Sequence, residues 1–378
     1  MNSEKIVVAQ VMGKMNSGGV ESVIMNYYRY IDKNKIQFHF ICDASSTIPQ
    51  KEEIEKLGGK VIIVPNYQHV FSYIKKLIQV FKENKYLIVH SNLNALSVIP
   101  LFCAKVADVP VRIAHSHSTS NKKEKFKNII KKCLKPFSKK FATHYFACTN
   151  HAGLWLFGEK ILNNPNYFVI NNAIDYQLFS FNAQKRKEIR KSLDVGENNV
   201  LIGNVGRFVD QKNQIYLINL LAKLTAFDNK YKLLLIGDGP LELYLKKSIK
   251  DLNLSNNVII LSSKKNVYEY YSAMDVFVFP SLYEGLGMVA IEAQCNGLVT
   301  LISENVPDDV LLSKYIKRLC LNNINDWVNA IHDCYPRSMF NNGTYLDEDS
   351  YNIICQCKKL EEEYIEMVRK QKKSNRMD

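Results

Sequence analysis

Residues 276–297 read VFVFPSLYEGLGMVAIEAQCNG. Four apolar residues, Val276 to Phe279, run up to Pro280, which is how a parallel strand buried on both faces reads. A turn containing Gly285 and Gly287 follows, and the spacing then predicts a helix from about Met288 to Cys295, stopped by Gly297. A strand, a glycine turn and a helix in that order aim backbone N–H groups at an anion, and the helix dipole favours its charge. Glu284 lies in the turn. Glu292 lies about one helical turn inside, roughly 6–8 Å further along. One carboxylate can face a polar group near an anion while the other reaches hydroxyls deeper in a cleft.

The same alternation extends in both directions. Upstream, short apolar runs occur at IVVAQVM (6–12), FHFIC (38–42), KVIIVP (60–65), LIVH (87–90), VRIAH (111–115), YFACT (145–149) and YFVI (167–170). Amphipathic stretches separate them, such as VESVIMNYYRYI (20–31) and VFSYIKKLIQVFKEN (70–84). The second places Val70, Ile74, Leu77, Ile78 and Phe81 on one stripe. A polar break at 180–199 reads as a short linking helix and loop. The pattern restarts with VLIGNVGRF (200–208), KLLLIGDG (232–239), NVIIL (257–261), VFVFPS (276–281), VTLIS (299–303) and RLCL (318–321). Residues 351–373 read as one long amphipathic helix. Strand-helix alternation in two halves predicts an α/β protein with two doubly wound, Rossmann-like domains and a cleft between them.

Composition agrees with that size. The chain has 378 residues, 47% hydrophobic and 23% charged, enough to bury a core without disulfide or metal staples. Its nine cysteines include no C-x-x-C pair, which argues against a zinc ribbon or disulfide framework and for a reducing cytosol. No signal-peptide pattern opens the sequence, and no apolar run reaches membrane-spanning length. The net charge is +13, and the window 122–140, with nine Lys and one Glu, carries +8 of it. Phe126, Ile129, Ile130, Cys133, Leu134 and Phe137 follow helical spacing in that window, so it reads as a basic amphipathic helix suited to anionic lipid. The plain alternative is a surface helix with an apolar inner face.

Other segments hold candidate chemistry. In GNVGRFVDQKN (203–213), Arg207 and Lys212 put an Arg fork and a Lys point charge five residues apart after a strand, a pairing suited to a diphosphate. In MGKMNSGGVESV (12–23), Gly18 and Gly19 open a helix with Glu21 in its first turn, without the pattern of a dinucleotide fingerprint or P-loop. In RIAHSHSTS (112–120), His115 and His117 sit at a strand end, and no third ligand is close in sequence to make them a metal site. Asp347 and Asp349 form a D-x-D that reads as helix N-terminal charge rather than as a Mg²⁺ site.

Taken together and in order, these segments resemble the retaining glycosyltransferases of family 4, of GT-B fold, and within them the capsular and exopolysaccharide branch. The resemblance covers nearly the whole chain. Glu284 and Glu292 match the family's E-x7-E motif, Arg207 and Lys212 its basic motif, Gly18 and Gly19 its first-domain glycine loop, and either His115 or His117 its strand-end histidine. Asn172, Ala173, Ile174 and Asp175 stand where the family has N-G-[IV]-D before the domain crossover.

The resemblance implies an N-terminal acceptor-side domain at 1–178, a nucleotide-sugar domain at 179–348, and a C-terminal helix at 349–378 crossing back onto the first domain. It implies that Arg207, Lys212 and the backbone of Gly285, Leu286 and Gly287 neutralise a departing nucleoside diphosphate. Glu292 would accept from ribose hydroxyls, Glu284 would hold the donor sugar near its anomeric carbon, and the histidine would contact that sugar. Main chain near Ser262 to Asn266 would read the base. The implied donor is a nucleotide-diphosphate sugar, UDP-sugar favoured. The implied acceptor is a lipid-linked saccharide at the inner membrane face, with neither metal nor other cofactor and no nucleic-acid partner. The alternatives are a nucleotide-sugar epimerase or phosphorylase of the same fold, and a non-catalytic binder of membrane or nucleic acid through the basic window.

Overall fold

Two parallel sheets carry the chain, and each collects the apolar runs of one half. The structure, a computed structural model, describes residues 5–16, 18–117, 134–264, 266–333, 346 and 350–374. It divides into two units: Met1–Ala173 with Asp349–Asp378, and Ile174–Glu348.

In the first unit, seven strands form one sheet: β1 (Ile6–Gly13), β2 (Ile36–Asp43), β3 (Lys60–Val64), β4 (Ile88–Ser91), β5 (Val111–Ser116), β6 (His144–Ala147) and β7 (Tyr167–Val169). Their order is β3-β2-β1-β4-β5-β6-β7, all parallel. Helices cover both faces, so β2 is buried at all eight positions. The helix Val70–Asn84 has the expected bounds but a rotated face. Tyr73, Leu77, Val80 and Phe81 are buried, whereas Val70 is 43% exposed and Ile74 and Ile78 only partly covered. Tyrosine buries as readily as an aliphatic residue here, and a stripe drawn on aliphatic positions alone misses it.

The C-terminal helix Ile353–Ser374 belongs to this unit. Ile353, Cys357, Leu360, Tyr364, Met367 and Val368 pack into the core cluster that also holds Val8, Phe38 and Phe40. Polar bonds fix its register: Gln356 Oε1 accepts from the Asn171 amide at 3.2 Å and Glu361 Oε1 from the Asp32 amide at 2.7 Å.

The second unit has six strands: β8 (Val200–Val205), β9 (Tyr231–Ile236), β10 (Val258–Leu261), β11 (Val276–Phe279), β12 (Val299–Ser303) and β13 (Ile316–Leu319). The order is β10-β9-β8-β11-β12-β13, again all parallel. In both sheets the strand order reverses once, between β1 and β4 and between β8 and β11. Crevices at the carboxyl ends beside such reversals are where ligands of doubly wound sheets bind.

The polar stretch at 180–199 holds the helix Ala183–Ser192, capped by Asn182 Oδ1 on the Lys185 amide. Its arginines anchor it: Arg186 and Arg190 both pair with the carboxylate of Asp275, which also accepts from the Leu201 amide at 2.7 Å. Arg190 and Asp275 are 6% and 7% exposed, so neither charge can fall back on water. Asp275→Ala should therefore cost the second unit about 3–5 kcal/mol, the penalty for leaving buried charge unpaired. Calorimetric melting should show that transition lowered and the other unmoved.

At the crossover, Asp175 Oδ1 caps the helix Tyr176–Phe179 by accepting from the Gln177 and Leu178 amides. Ala173 has no left-handed φ and is fully buried, so alanine suits this backbone without strain.

The window 122–140 falls largely among residues outside those described, as do Asp347 and Asp349. Where it is described, a continuous helix is not found: Lys135–Phe137 form a single 3₁₀ turn. Pro136 lacks the N–H that helix continuation needs.

Candidate active site

The β8 and β11 ends of the second unit are laced together. Phe279 ends β11 and the chain leaves through Pro280, whose carbonyl accepts from Asn213 Nδ2 at 3.1 Å. The Leu282 amide donates to the Gln211 carbonyl at 2.8 Å, and Gln211 Nε2 donates to the Tyr283 carbonyl at 3.0 Å. These bonds hold the loop after β8, with its Lys212, against the turn that carries Glu284. On its other side the same loop meets the chain just past β9, where a Cβ on Gly237 would overlap the Gly206 carbonyl oxygen.

Lys212 Nζ lies 2.7 Å from Glu284 Oε1 and 4.7 Å from the centre of the Phe279 ring. The side chains of Lys212 and Glu284 are 18% and 7% exposed, so this ion pair is largely shielded from solvent. An ammonium has three donors, and Glu284 takes one. The turn beyond Glu284 runs into the helix Met288–Cys295, whose N-cap Gly287 sits at φ +97°. A Cβ there would lie 3.0 Å from the Phe279 ring, so both conformation and space call for glycine. Among the described residues the amides of Gly285, Leu286 and Gly287 have no acceptor. A shielded cation beside open amides at a helix N-terminus is the chemistry of an anion site.

Glu292 sits within that helix, mostly buried, and accepts at 2.7 Å from the hydroxyl of Tyr271. Burial pushes its carboxyl up, and the Tyr271 hydrogen bond and the nearby Lys212 charge pull it back. Arg207 is exposed; its carbonyl accepts from Gln214 Nε2 at 3.1 Å, and its guanidinium has no ion pair among the described residues. The structure thus brings Lys212, Glu284, Glu292 and the 285–287 turn together, with Arg207 exposed on the same loop that carries Lys212. Of the segment expected to read a base, Ser263 donates its amide to Asp238 Oδ2 at 2.9 Å, and Lys265 lies outside the described residues.

The first unit gathers its candidates at its own reversal point. His115 is the penultimate residue of β5 and His117 follows it. Their rings stack with centres 3.8 Å apart, and both are buried. His115 Nδ1 is 2.9 Å from His90 Nε2, and His90 Nδ1 is 2.6 Å from the hydroxyl of Tyr364. His117 Nε2 is 2.9 Å from Asn92 Oδ1. Burial pushes all three histidines down, His117 to about 3, so each is neutral. Among the described residues no group of three or more His, Cys, Asp or Glu is placed to hold a metal ion.

Gly18 caps the helix Gly19–Tyr30, and the carboxylate of Glu21 folds back until a Cβ on Gly18 would overlap its Oε2. The anion at that helix end is thus the protein's own. Gly19 faces open space within 4 Å of its absent Cβ. Sequence reading missed Gln10, His90, Asn92, Tyr271, Phe279 and Tyr364. The signal for Gln10 and His90 was polarity inside otherwise apolar strands; Asn92, one residue past β4, and Tyr271 and Tyr364 gave none.

Known proteins agree with this arrangement. The family model for "Glycosyl transferases group 1" matches residues 185–332, and that for "Glycosyltransferase Family 4" matches residues 17–178. The chain is 34% identical to the putative glycosyltransferase EpsF of Bacillus subtilis over 318 residues, covering 82% of each protein. It is 26% identical to the UDP-Gal:alpha-D-GlcNAc-diphosphoundecaprenol alpha-1,3-galactosyltransferase of Escherichia coli, covering 96% of this chain and 98% of that one. The crystal structure of Anabaena Alr3699/HepE with UDP and glucose superposes with a TM-score of 0.76 at 19% identity, covering 94% of this chain and 98% of that one. Two parallel Rossmann-like sheets, one family match on each and a relative at 34% identity lead to one assignment: the chain is a glycosyltransferase of family 4, with the GT-B fold.

Proposed function

We propose that this glycosyltransferase moves a sugar from a UDP-sugar to a hydroxyl of a lipid-linked saccharide during synthesis of a cell-surface polysaccharide, with retention and without a metal ion. The observation that carries the donor half is the pairing of Lys212 with the open amides of Gly285, Leu286 and Gly287. A departing diphosphate needs stabilisation where its charge develops, and fixed donors supply it without reorganisation. Lys212 and Arg207 then do the work a divalent cation does elsewhere. Glu292 accepts from the ribose, and Glu284 holds the sugar close to Lys212. With no separate nucleophile assigned, attack comes from the face the diphosphate leaves, and the leaving oxygen takes the acceptor's proton. On the first unit, His115 and His117 offer nitrogens to saccharide hydroxyls. The names of the E. coli relative and of the Anabaena complex support UDP and a diphosphoundecaprenol-linked acceptor.

Titration of the protein with UDP-, GDP- and ADP-sugars, with and without EDTA, should give a thermal shift for UDP-sugars that survives the chelator. NMR of the product anomeric proton should show the donor's configuration kept. No shift with any nucleotide sugar would overturn the reading. Release of an isomerised UDP-sugar without acceptor would replace it by epimerisation. Tyr271→Phe removes a hydrogen bond to a carboxylate, so UDP binding should weaken about tenfold. The loss should grow as the pH falls, because the variant's Glu292 protonates at higher pH than before.

No described helix is long and apolar enough to cross a membrane. Access to a lipid-linked acceptor from the cytoplasmic side then calls for surface attachment, which the Lys-rich window 122–140 is proposed to provide. Each Lys near an anionic surface is worth about 1 kcal/mol. Reversing Lys122, Lys123, Lys125 and Lys127 to Glu should abolish co-sedimentation with phosphatidylglycerol vesicles while leaving UDP binding unchanged.

A further inference from the structure

We propose that Tyr364, on the C-terminal helix, is a positioning residue: through His90 it sets which nitrogen of His115 carries the proton. Six buried side chains form a chain of five hydrogen bonds whose two ends, His115 and His117, stack on each other. Asn92 Nδ2 donates to Gln10 Oε1 at 2.9 Å, and Gln10 Nε2 donates to the Tyr364 hydroxyl at 3.1 Å. The phenol oxygen therefore accepts from Gln10, and its single proton goes to its other partner, His90 Nδ1, at 2.6 Å. A neutral imidazole that accepts at one nitrogen donates at the other. His90 then donates from Nε2 to His115 Nδ1, which leaves the proton of His115 on Nε2.

The other arm closes in the same way. Asn92 uses its amide nitrogen toward Gln10, so its Oδ1 accepts from His117 Nε2–H and leaves the Nδ1 of His117 as a bare acceptor. The two atoms left over, His115 Nε2 and His117 Nδ1, are buried and have no hydrogen-bond partner among the described residues. They belong to stacked rings at the carboxyl end of β5. A donor and an acceptor side by side match a hydroxyl, which is both. The chain of bonds thus tunes the strand end from a helix 22 residues long that begins at Ile353, far along the sequence.

The catalytic consequence rests on the glycosyltransfer reading above; the tautomers do not. In protein labelled with 15N-histidine, long-range 1H–15N spectra should show His90, His115 and His117 each as the Nε2–H tautomer. Tyr364→Phe should remove the single-tautomer pattern of His90 and His115 and leave that of His117. Gln10→Met removes a donor to Tyr364 but not the phenol's own proton, so it should leave the patterns of His90 and His115 in place and relax only that of His117, whose partner Asn92 loses the Gln10 oxygen that fixes its orientation. A merely structural tyrosine would not separate these variants. Tyr364→Phe should also lower kcat about tenfold with UDP affinity unchanged. Finding His90 or His115 as Nδ1–H in the unaltered protein, or an unchanged His115 in Tyr364→Phe, would overturn the proposal. Should the variant fail to fold, the spectrum of the unaltered protein still decides. Failure to bind UDP would sink the glycosyltransfer reading instead and leave the tautomer result standing.

Discussion

Lys212→Met should lower kcat/KM by about a thousandfold. Removing one fixed donor from a developing oxyanion costs about 10²–10³, and Lys212 brings a full charge as well. Methionine keeps the stem that packs beside Gly206, so the lesion is confined to the ammonium and its contacts with Glu284 and the Phe279 ring. Glu284 is 7% exposed and would be left without its partner, so some loss could come from a stranded carboxylate. Glu284→Gln removes that charge, and the double variant separates the two effects. If Lys212 acts on the diphosphate, the double variant stays as slow as Lys212→Met. If the lysine serves only to neutralise Glu284, the double variant recovers most of the activity of Glu284→Gln.

The second large effect is on stability in acid. Burial holds His90, His115 and His117 neutral in the fold, whereas in the unfolded chain each titrates near the ordinary value of about 6.5. A group whose folded pKa is depressed contributes stability above the unfolded value and loses it as the pH falls. By pH 5 each of the three costs roughly 2 kcal/mol, or roughly 6 together. His39 and His144, both pushed down to about 4 by burial, act in the same direction. Asp43 acts against them. Burial raises its carboxyl to about 6, so acid relieves the cost of its buried charge, though by only about 1–2 kcal/mol at pH 5. The first unit should lose stability steeply from pH 6.5 downward, seen as a falling melting transition in calorimetry. A transition that stayed level from pH 7 to pH 5 would mean that these histidines are not buried neutral.

Much of this molecule is readable without coordinates, for physical reasons. Parallel strands covered on both faces become uninterrupted apolar runs, so VFVFP or KLLLIG marks a strand wherever it stands. Glycine marks the helix ends as clearly: Met288–Cys295 lies between Gly287 and Gly297 as the spacing says. What sequence hides is pairing at a distance. Lys212 and Glu284 stand 72 residues apart, and nothing in either segment announces that they meet. The same holds for Tyr364 and His90, 274 residues apart. Patterns also mislead where one chemistry is assumed for a face. The helix Val70–Asn84 turned toward Tyr73, which a stripe of aliphatic positions passes over.

The central claim is that Lys212 and the 285–287 turn hold the terminal phosphate of the leaving group. It is tested most directly by calorimetric titration of UDP and UMP into the unaltered protein and into Lys212→Met combined with Glu284→Gln. The account predicts that the unaltered protein prefers UDP over UMP by about a hundredfold or more, and that the preference collapses in the variant while UMP binding is kept. An undiminished preference for UDP in the variant would contradict it.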